Sequence, residues 1–208
     1  FCKLHTDNYC GWLKKKDLGN LLPPTHRVIA IRSFLYTKKS IKSPIYIYLS
    51  LGSKLTVAEE KDKWAKVSLP NNWDKNSFYI LKQDIVPIDS KVKDWVSIAE
   101  KLIGTPYKWG GRNSLGIDCS ALLQLSYQTY GQNLPRNSMH QMEIKIKNND
   151  LSNLKRGFAV FWKGHVAIML DHLNCIHANA FHMKTIVEPL KTIIMRMGNK
   201  NPIIKIQI

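Results

Sequence analysis

The sequence predicts an α+β chain in which a small all-β barrel precedes a domain of helices packed on an antiparallel sheet. Residues 27–88 contain short apolar stretches separated by turns rich in Gly, Pro, Asn and Lys, a pattern typical of a small barrel. From Lys91 onward the apolar residues recur with a helical period. Beyond residue 156, four short strand-like segments follow one another, which indicates an antiparallel sheet after the helices.

We expect three regions along the chain. Residues 1–26 are predicted to be the remnant of a first β domain followed by a linker, which two consecutive prolines keep stiff and extended. Residues 27–90 are predicted to form a complete barrel, and residues 91–208 the α+β domain. A single irregular β domain over residues 1–88 fits the local pattern equally well.

The composition excludes some classes of protein. The 208 residues are 44% apolar, which is enough for a hydrophobic core. No run of about 18 apolar residues encodes a membrane span. The formal charge is +16, but the lysines are scattered and their longest run is Lys14 to Lys16. Such scatter is typical of a solvated surface, so we expect no nucleic-acid partner; a polyanionic substrate or wall polymer is the weaker alternative.

Cysteine usage favours a reducing compartment. The four cysteines, Cys2, Cys10, Cys119 and Cys175, include no CxxC pair and no zinc-ligand spacing. We therefore expect reduced thiols, no metal site and a cytoplasmic protein. Because the chain begins at Phe1 rather than at a methionine, we also expect a truncated or processed product, and a periplasmic or secreted location stays open.

Cys119 has the setting of a catalytic nucleophile. It follows a turn and opens an amphipathic helical pattern that Gly131 ends. A thiol at the first helical position faces the positive end of the helix dipole, which favours the thiolate. The apolar positions at helical spacing are Ala121, Leu122, Leu125 and Tyr130.

Two histidines downstream can serve this thiol. His165 starts an apolar strand after the Gly164 turn and is the candidate base that accepts the thiol proton. His177 lies on the next strand, and a hairpin return between the strands brings both rings to one side, so His177 can orient the base by a hydrogen bond. A lone histidine is usually a surface or satisfied core residue; the joint pattern with Cys119 carries the hypothesis.

Five motifs together resemble the NlpC-type family of papain-like bacterial cell-wall peptidases over about residues 92–208. They are TPYKWGG, DCSALLQ, LPRNSMHQ, GHVAIML and IHANA. The resemblance implies a papain-like domain and a cysteine peptidase that cuts the bond between γ-D-glutamate and a diamino acid, diaminopimelate, in peptidoglycan peptides. It implies Cys119 as nucleophile, His165 as base and His177 as its orienter, with no metal or organic cofactor.

The same resemblance implies substrate-binding residues. Tyr107 matches a tyrosine whose hydroxyl helps to bind the oxyanion, beside the backbone N–H of Cys119. Asp118 and Ser120 match residues of family members that recognise the free amino end of the substrate. Ser138 matches the Pro-Arg-x-Ser loop, and Asn137 stands where relatives that cut free recycled peptides usually carry Asp, so a charge that those relatives use for amine recognition is missing here.

Residues 27–90 resemble bacterial SH3-like domains, because KLTVAEEKDKWAKVSLPNN reads as a strand, a charged turn and a strand. The segment YCGWLKKKDL resembles the closing strand of another such domain. In relatives with this architecture the SH3-like domains narrow one end of the groove, which implies an enzyme for free L-Ala-terminated turnover peptides. Attachment to the wall is the rival role of these domains.

Other functions remain as alternatives to this hypothesis. The chain is alternatively a remodelling hydrolase that acts on intact cell wall, or a non-catalytic wall-binding module with a basic surface. An acyltransferase or amidase on the same scaffold is also possible, because a fold does not fix a reaction. The expected partners are peptidoglycan-derived peptides.

Overall fold

The computed structural model describes most of the chain, and two units are compact in it. The first unit comprises Phe1–Leu4 and Cys10–Lys91, and the second comprises His5–Tyr9 and Val92–Ile208. No helix in the described part of the chain is long and apolar enough to cross a membrane. The described residues are 1–70, 77–143 and 153–207, with side chains up to residue 204.

In its described residues, the first unit consists of strands and two short 3₁₀ turns. Seven of the strands, β3 to β9, form one antiparallel sheet of order β5-β4-β8-β7-β6-β3-β9, and β1 pairs with β2. The strands are β1 (Cys2–Lys3), β2 (Cys10–Gly11), β3 (His26–Val28), β4 (Arg32–Tyr36), β5 (Ile45–Ser50), β6 (Lys54–Lys61), β7 (Trp64–Ser68), β8 (Phe78–Leu81) and β9 (Ile85–Pro87).

Side chains alternate between the two faces of the sheet, and those on one face form the core of this unit. Val67 on β7 pairs with Phe78 on β8, and both side chains are buried together with Leu35 and Ile80. The segments expected to be strands therefore form an antiparallel sheet with one apolar face. The assignment to the SH3-like family stays a prediction, and the last two residues of its motif, Asn71 and Asn72, lie outside the described residues.

The second unit carries helices and a five-stranded antiparallel sheet of order β15-β14-β13-β12-β16. Its elements are α1 (Val96–Glu100), β10 (Arg112–Asn113), β11 (Gly116–Ile117), α2 (Cys119–Gln128), α3 (Ser138–Met142), β12 (Ala159–Trp162), β13 (His165–Met169), β14 (Asn174–Asn179), β15 (Lys184–Pro189), α4 (Leu190–Met197) and β16 (Lys205–Gln207). The four strand-like segments seen in the sequence are β12 to β15. Helix α4 and strand β16 follow them, so the order is not simply helices first and sheet second.

Helix α2 is the centre of this unit. Asp118 caps its start, because Oδ1 accepts the Ala121 N–H at 2.8 Å, and Gly131 ends it with a left-handed φ of +92°. All residues from Cys119 to Ser126 are buried, so the helix is enclosed on every side rather than amphipathic. It packs against β13 and β14, which brings Cys119 to the start of β13.

Phe78 tests the core of the first unit. Its side chain is buried, so Phe78→Ala should leave a cavity and lower the free energy of unfolding by about 3–5 kcal/mol. The control is Phe34→Ala on β4, where the ring is 37% exposed and the expected loss is about 1 kcal/mol or less. Hydrogen exchange of the strand amides measures both values. Equal losses in the two variants would contradict this description of the core.

Candidate active site

The Cys119 thiol lies where α2 begins and β13 begins. It is 7% exposed, and the backbone N–H of Val166, the residue after His165, faces it. The N–H groups of Ser120 and of Cys119 itself also interact with the sulfur. The structure therefore places the start of α2 against the strand that carries His165.

Burial dominates the electrostatics of this thiol and of the first histidine. Burial raises the pKa of Cys119 to about 11, although the Val166 and Ser120 N–H groups favour the thiolate as the helix start was expected to do. Burial, and then the neighbouring His177 and Arg196, lower the pKa of His165 to about 3. Both shifts favour an uncharged thiol and an uncharged imidazole at neutral pH. The helix start alone does not produce a resting thiolate.

The two histidines are joined by a hydrogen bond. His165 Nε2 lies 2.7 Å from His177 Nδ1, with the ring planes inclined by 68°. This is the arrangement expected from the hairpin return between their strands. His165 is not at the edge of the sheet, because β13 lies between β12 and β14, and His177 is fully buried.

The hydrogen bonds continue from His177 to a carboxylate, Glu188, and from there to a guanidinium, Arg196. Neither residue was predicted from the sequence. His177 Nε2 lies 2.7 Å from Glu188 Oε1, and Arg196 donates from both terminal nitrogens to the two oxygens of Glu188. The guanidinium of Arg196 lies over the Phe181 ring at 4.3 Å. A signal was present in the sequence, since Glu188 is a charged residue inside the strand-like run KTIVEPL.

Asp118 is fully engaged within the protein. Its two oxygens accept five hydrogen bonds, from both terminal nitrogens of Arg136, from the Ser120 hydroxyl and from the backbone N–H groups of Ala121 and Gly110. Arg136 also donates to the Ser120 hydroxyl oxygen at 2.9 Å. These bonds occupy the acceptor directions of the carboxylate and hold the start of α2. The pairing of Asp118 with a substrate ammonium stays a prediction.

Tyr107 lies beside the nucleophile segment. It forms a bridge with Ile117, two residues before Cys119, and its N–H donates to Met183 O at 2.9 Å. Burial raises the pKa of the Tyr107 hydroxyl, and the Cys119 and Asp118 side chains add to this effect. The phenol is thus uncharged at neutral pH and can donate a hydrogen bond near the thiol.

The Gly110-Gly111 pair has a packing reason. Gly110 has a φ of +72°, in the left-handed region that favours glycine. A Cβ on Gly111 would lie 2.5 Å from Gly116 O, closer than any side chain tolerates. The loop therefore approaches β11 closely enough for the Gly110 N–H to reach Asp118 at 3.0 Å.

The remaining predicted residues lie at the start of α3. Asn137 is exposed and Ser138 is half-buried, so both are open to solvent. Gln141 on the same helix donates from Nε2 to Ser120 O at 2.9 Å and to Pro135 O at 2.8 Å, which ties α3 to the nucleophile segment. The described residues contain no group of three or more His, Cys, Asp or Glu side chains arranged to hold a metal ion.

Comparison with known proteins identifies the family. Residues 104–197 match the model of the NlpC/P60 family. The protein named "Probable endopeptidase NlpC homolog" from Haemophilus influenzae is 30% identical over 130 residues, which cover 59% of this chain and 70% of that protein. The chain therefore belongs to the NlpC/P60 family, whose members are cysteine peptidases that act on peptidoglycan.

Two further relatives are matched over less of their length. Dipeptidyl-peptidase 6 from Lysinibacillus sphaericus is 36% identical over 84 residues, which cover 40% of this chain and 31% of that protein. The γ-D-glutamyl-L-lysine dipeptidyl-peptidase of Bacillus subtilis is 27% identical over 161 residues, which cover 74% of this chain and 52% of that protein. The chain thus spans only a third to a half of these two relatives.

Solved structures share the fold. An NlpC/P60 family protein from Bacillus cereus superimposes with a TM-score of 0.69 at 25% identity, covering 80% of this chain and 58% of the other. NlpC2 from Trichomonas vaginalis superimposes with a TM-score of 0.50 at 16% identity, covering 88% of this chain and 71% of the other. The mixed helical and antiparallel β architecture is therefore that of the papain-like NlpC/P60 proteins.

The ion pair beneath the nucleophile segment can be tested directly. The Arg136 and Asp118 side chains are each 10% exposed, so Arg136→Met should leave a buried carboxylate without its cation and cost about 3–5 kcal/mol. Arg156→Met is the matched control, because Arg156 pairs with Asp94 and Glu100 at the surface, where the expected loss is about 1 kcal/mol. Hydrogen exchange of the β12 to β15 amides measures both losses. An Arg136→Met loss no larger than that of the control would refute the structural role of the pair.

Proposed function

We propose that this chain is a cysteine endopeptidase that hydrolyses the bond between γ-D-glutamate and a diamino acid, diaminopimelate, in peptidoglycan peptides. The observation that carries the proposal is the position of the Cys119 thiol at a helix start, against the strand whose first residue, His165, is hydrogen-bonded to His177. The name of the Bacillus subtilis relative, which specifies a γ-D-glutamyl bond, supports the substrate class.

In the proposed mechanism, His165 is the base and the thiol attacks as it loses its proton. Because both groups rest uncharged, proton transfer from Cys119 to His165 accompanies attack on the amide carbonyl. The backbone N–H of Cys119 and the Tyr107 hydroxyl stabilise the oxyanion. The imidazolium of His165 then protonates the leaving amine, and a water molecule activated by the same imidazole hydrolyses the thioester.

The substrate we propose first is a free turnover peptide with an L-Ala amino end. Asn137 and Ser138 are the solvent-accessible polar groups of the matched loop, and they are proposed to bind this end of the peptide by hydrogen bonds. All four cysteines are free thiols, which supports a proposed cytoplasmic location.

A second candidate is a hydrolase that acts on intact cell wall. It is favoured by one observation, namely that Asp118 is paired with Arg136 and that Asn137 carries no charge, so neither supplies a free carboxylate for a substrate ammonium. Hydrolysis of L-Ala-γ-D-Glu-diaminopimelate that is blocked by N-acetylation would support the free-peptide substrate. Release of peptides from intact peptidoglycan, with no effect of N-acetylation on the free tripeptide, would support the wall hydrolase instead.

Removal of the proposed nucleophile or base should abolish hydrolysis. Cys119→Ala and His165→Ala are expected to lower kcat by roughly 10⁴-fold or more, because each removes a group that acts on the reacting atoms. His177→Ala should cost roughly 10- to 100-fold, because it removes only the orientation of the base. Cys10→Ala, which removes an exposed thiol of the first unit, is the control and should keep the parent rate. Product analysis by mass spectrometry measures the rates.

The outcomes separate an enzyme from a binding module. Retained hydrolysis in Cys119→Ala would refute the nucleophile assignment. Binding of peptidoglycan with no hydrolysis by the parent chain of any of these substrates would favour the non-catalytic wall-binding module.

The pH dependence of kcat/KM should reflect the lowered pKa of His165. Protonated His165 cannot accept the thiol proton, and burial holds its pKa far below the ordinary value of 6.5. Activity should therefore persist as the pH falls through 6.5 and be lost only at lower pH. An acid limb with its midpoint at or above 6.5 would contradict this environment for His165. Unchanged circular dichroism over the same range is the control for acid unfolding.

A further inference from the structure

The hydrogen bonds that run from His165 through His177 end in an ion pair between a buried carboxylate, Glu188, and a half-buried guanidinium, Arg196. Glu188 on β15 is 8% exposed, and Arg196 on α4 binds both of its oxygens. The pair lies directly behind His177, whose Nε2 is 2.7 Å from Glu188 Oε1. A buried carboxylate is costly unless it is paired, and this one has both a cation and an imidazole as partners.

We propose that Glu188 is a positioning residue that fixes which nitrogen of His177 carries the proton, and so keeps Nδ1 of His165 free to accept the proton of Cys119. The effect of Glu188 on catalysis rests on the proposed function, because it assumes that His165 accepts the proton of Cys119. The proton arrangement itself is a property of the folded chain and can be measured without any substrate.

The hydrogen bonds that start at Glu188 determine the proton positions on both histidines. Burial opposes its ionisation, but the bonds from Arg196 and His177 outweigh this and hold its pKa below the ordinary value, so the carboxylate only accepts. His177 must then carry its proton on Nε2, which leaves Nδ1 as an acceptor. His165 consequently donates from Nε2 across the 2.7 Å bond. A neutral imidazole has one N–H, so Nδ1 of His165 is its basic nitrogen.

Asn179 and Glu188 both contact Nε2 of His177, and they favour opposite proton positions on this ring. Asn179 Oδ1 accepts the His182 N–H at 2.8 Å, which turns the Asn179 amide nitrogen toward His177 Nε2 at 3.0 Å. The Asn179 amide nitrogen is a donor. Without the Glu188 charge, it would therefore favour His177 with an unprotonated Nε2, which accepts this bond, and with the proton on Nδ1. His165 Nε2 would then have to accept, and its proton would move to Nδ1, where it blocks the transfer from Cys119.

Several charged or titratable groups face Glu188 and His165. Glu188 is faced by His177 and Cys175 from β14, by Arg196 from α4 and by His182, whose Nε2 is 3.7 Å from Glu188 Oε2. At His165, the Glu188 charge favours the protonated ring, whereas the Arg196 charge and His177 disfavour it. Substitutions of Glu188 and Arg196 should therefore act in opposite directions on the titration of His165.

The proton arrangement can be measured in the full chain carrying Cys119→Ala. Nitrogen-15 NMR of the histidine rings at neutral pH should show both His177 and His165 with the proton on Nε2. Adding Glu188→Gln should increase the population of His177 with the proton on Nδ1. His177 protonated on Nδ1 without the Glu188 substitution would overturn the proposal. Because this protein lacks the proposed nucleophile, the result stands even if the proposed function fails.

Kinetics of the otherwise unaltered enzyme give an independent readout. Glu188→Gln should lower kcat/KM by roughly 10²-fold and move its acid limb to lower pH by about half a unit to one unit. Arg196→Met should move the acid limb to higher pH. A purely structural role would predict the same change in both variants, because both break the same ion pair. Shifts in the same direction, or no shift in either, would overturn the proposal.

Matched variants control for folding. Glu100→Gln also removes a carboxylate that is paired with an arginine, Arg156, but this pair does not contact a histidine, so kcat/KM and its pH profile should be unchanged. If Glu188→Gln does not fold, as judged by circular dichroism, Glu188→Asp replaces it. The retained charge should then preserve the Nε2 proton of His177, and its loss in a folded Glu188→Asp protein would overturn the proposal.

Discussion

The Asp118 carboxylate holds together the segments that form the candidate site. It caps the helix that starts with Cys119, binds the loop at Gly110 and receives both terminal nitrogens of Arg136. The Ala121 N–H and the Asp118 carboxylate are both buried, so the hydrogen bond between them satisfies two groups that water does not reach. The position of the thiol thus depends on a carboxylate that Arg136 itself holds in place.

The candidate site keeps its charges in pairs and its reactive groups neutral. One ion pair, Asp118 with Arg136, includes the residue before Cys119, and the other, Glu188 with Arg196, includes a carboxylate that contacts His177. Burial makes an isolated charge costly, which is why the pKa of Cys119 is raised and that of His165 lowered. Charge separation during the reaction is then compensated by nearby dipoles that are already oriented, rather than by water.

The sequence was sufficient for the parts of the site that depend on local pattern. Cys119 could be placed at a helix start because a turn precedes it, apolar residues at helical spacing follow it and Gly131 ends the pattern. The histidines could be placed on strands because apolar runs surround them. Glu188 and Arg196 were not found, because their role depends on a sheet register and a helix contact that no local pattern specifies. The ion pair between Asp118 and Arg136 was not found for the same reason, since the two residues are distant in sequence.

The enclosure of α2 also has a consequence for how the protein loses activity on heating. Helix α2 is buried along nearly its whole length, so it is protected from local unfolding. The thiol at its first residue shares this protection. We therefore expect Cys119 to lose its position only when the core of this unit unfolds, so that thermal inactivation coincides with cooperative unfolding of the unit.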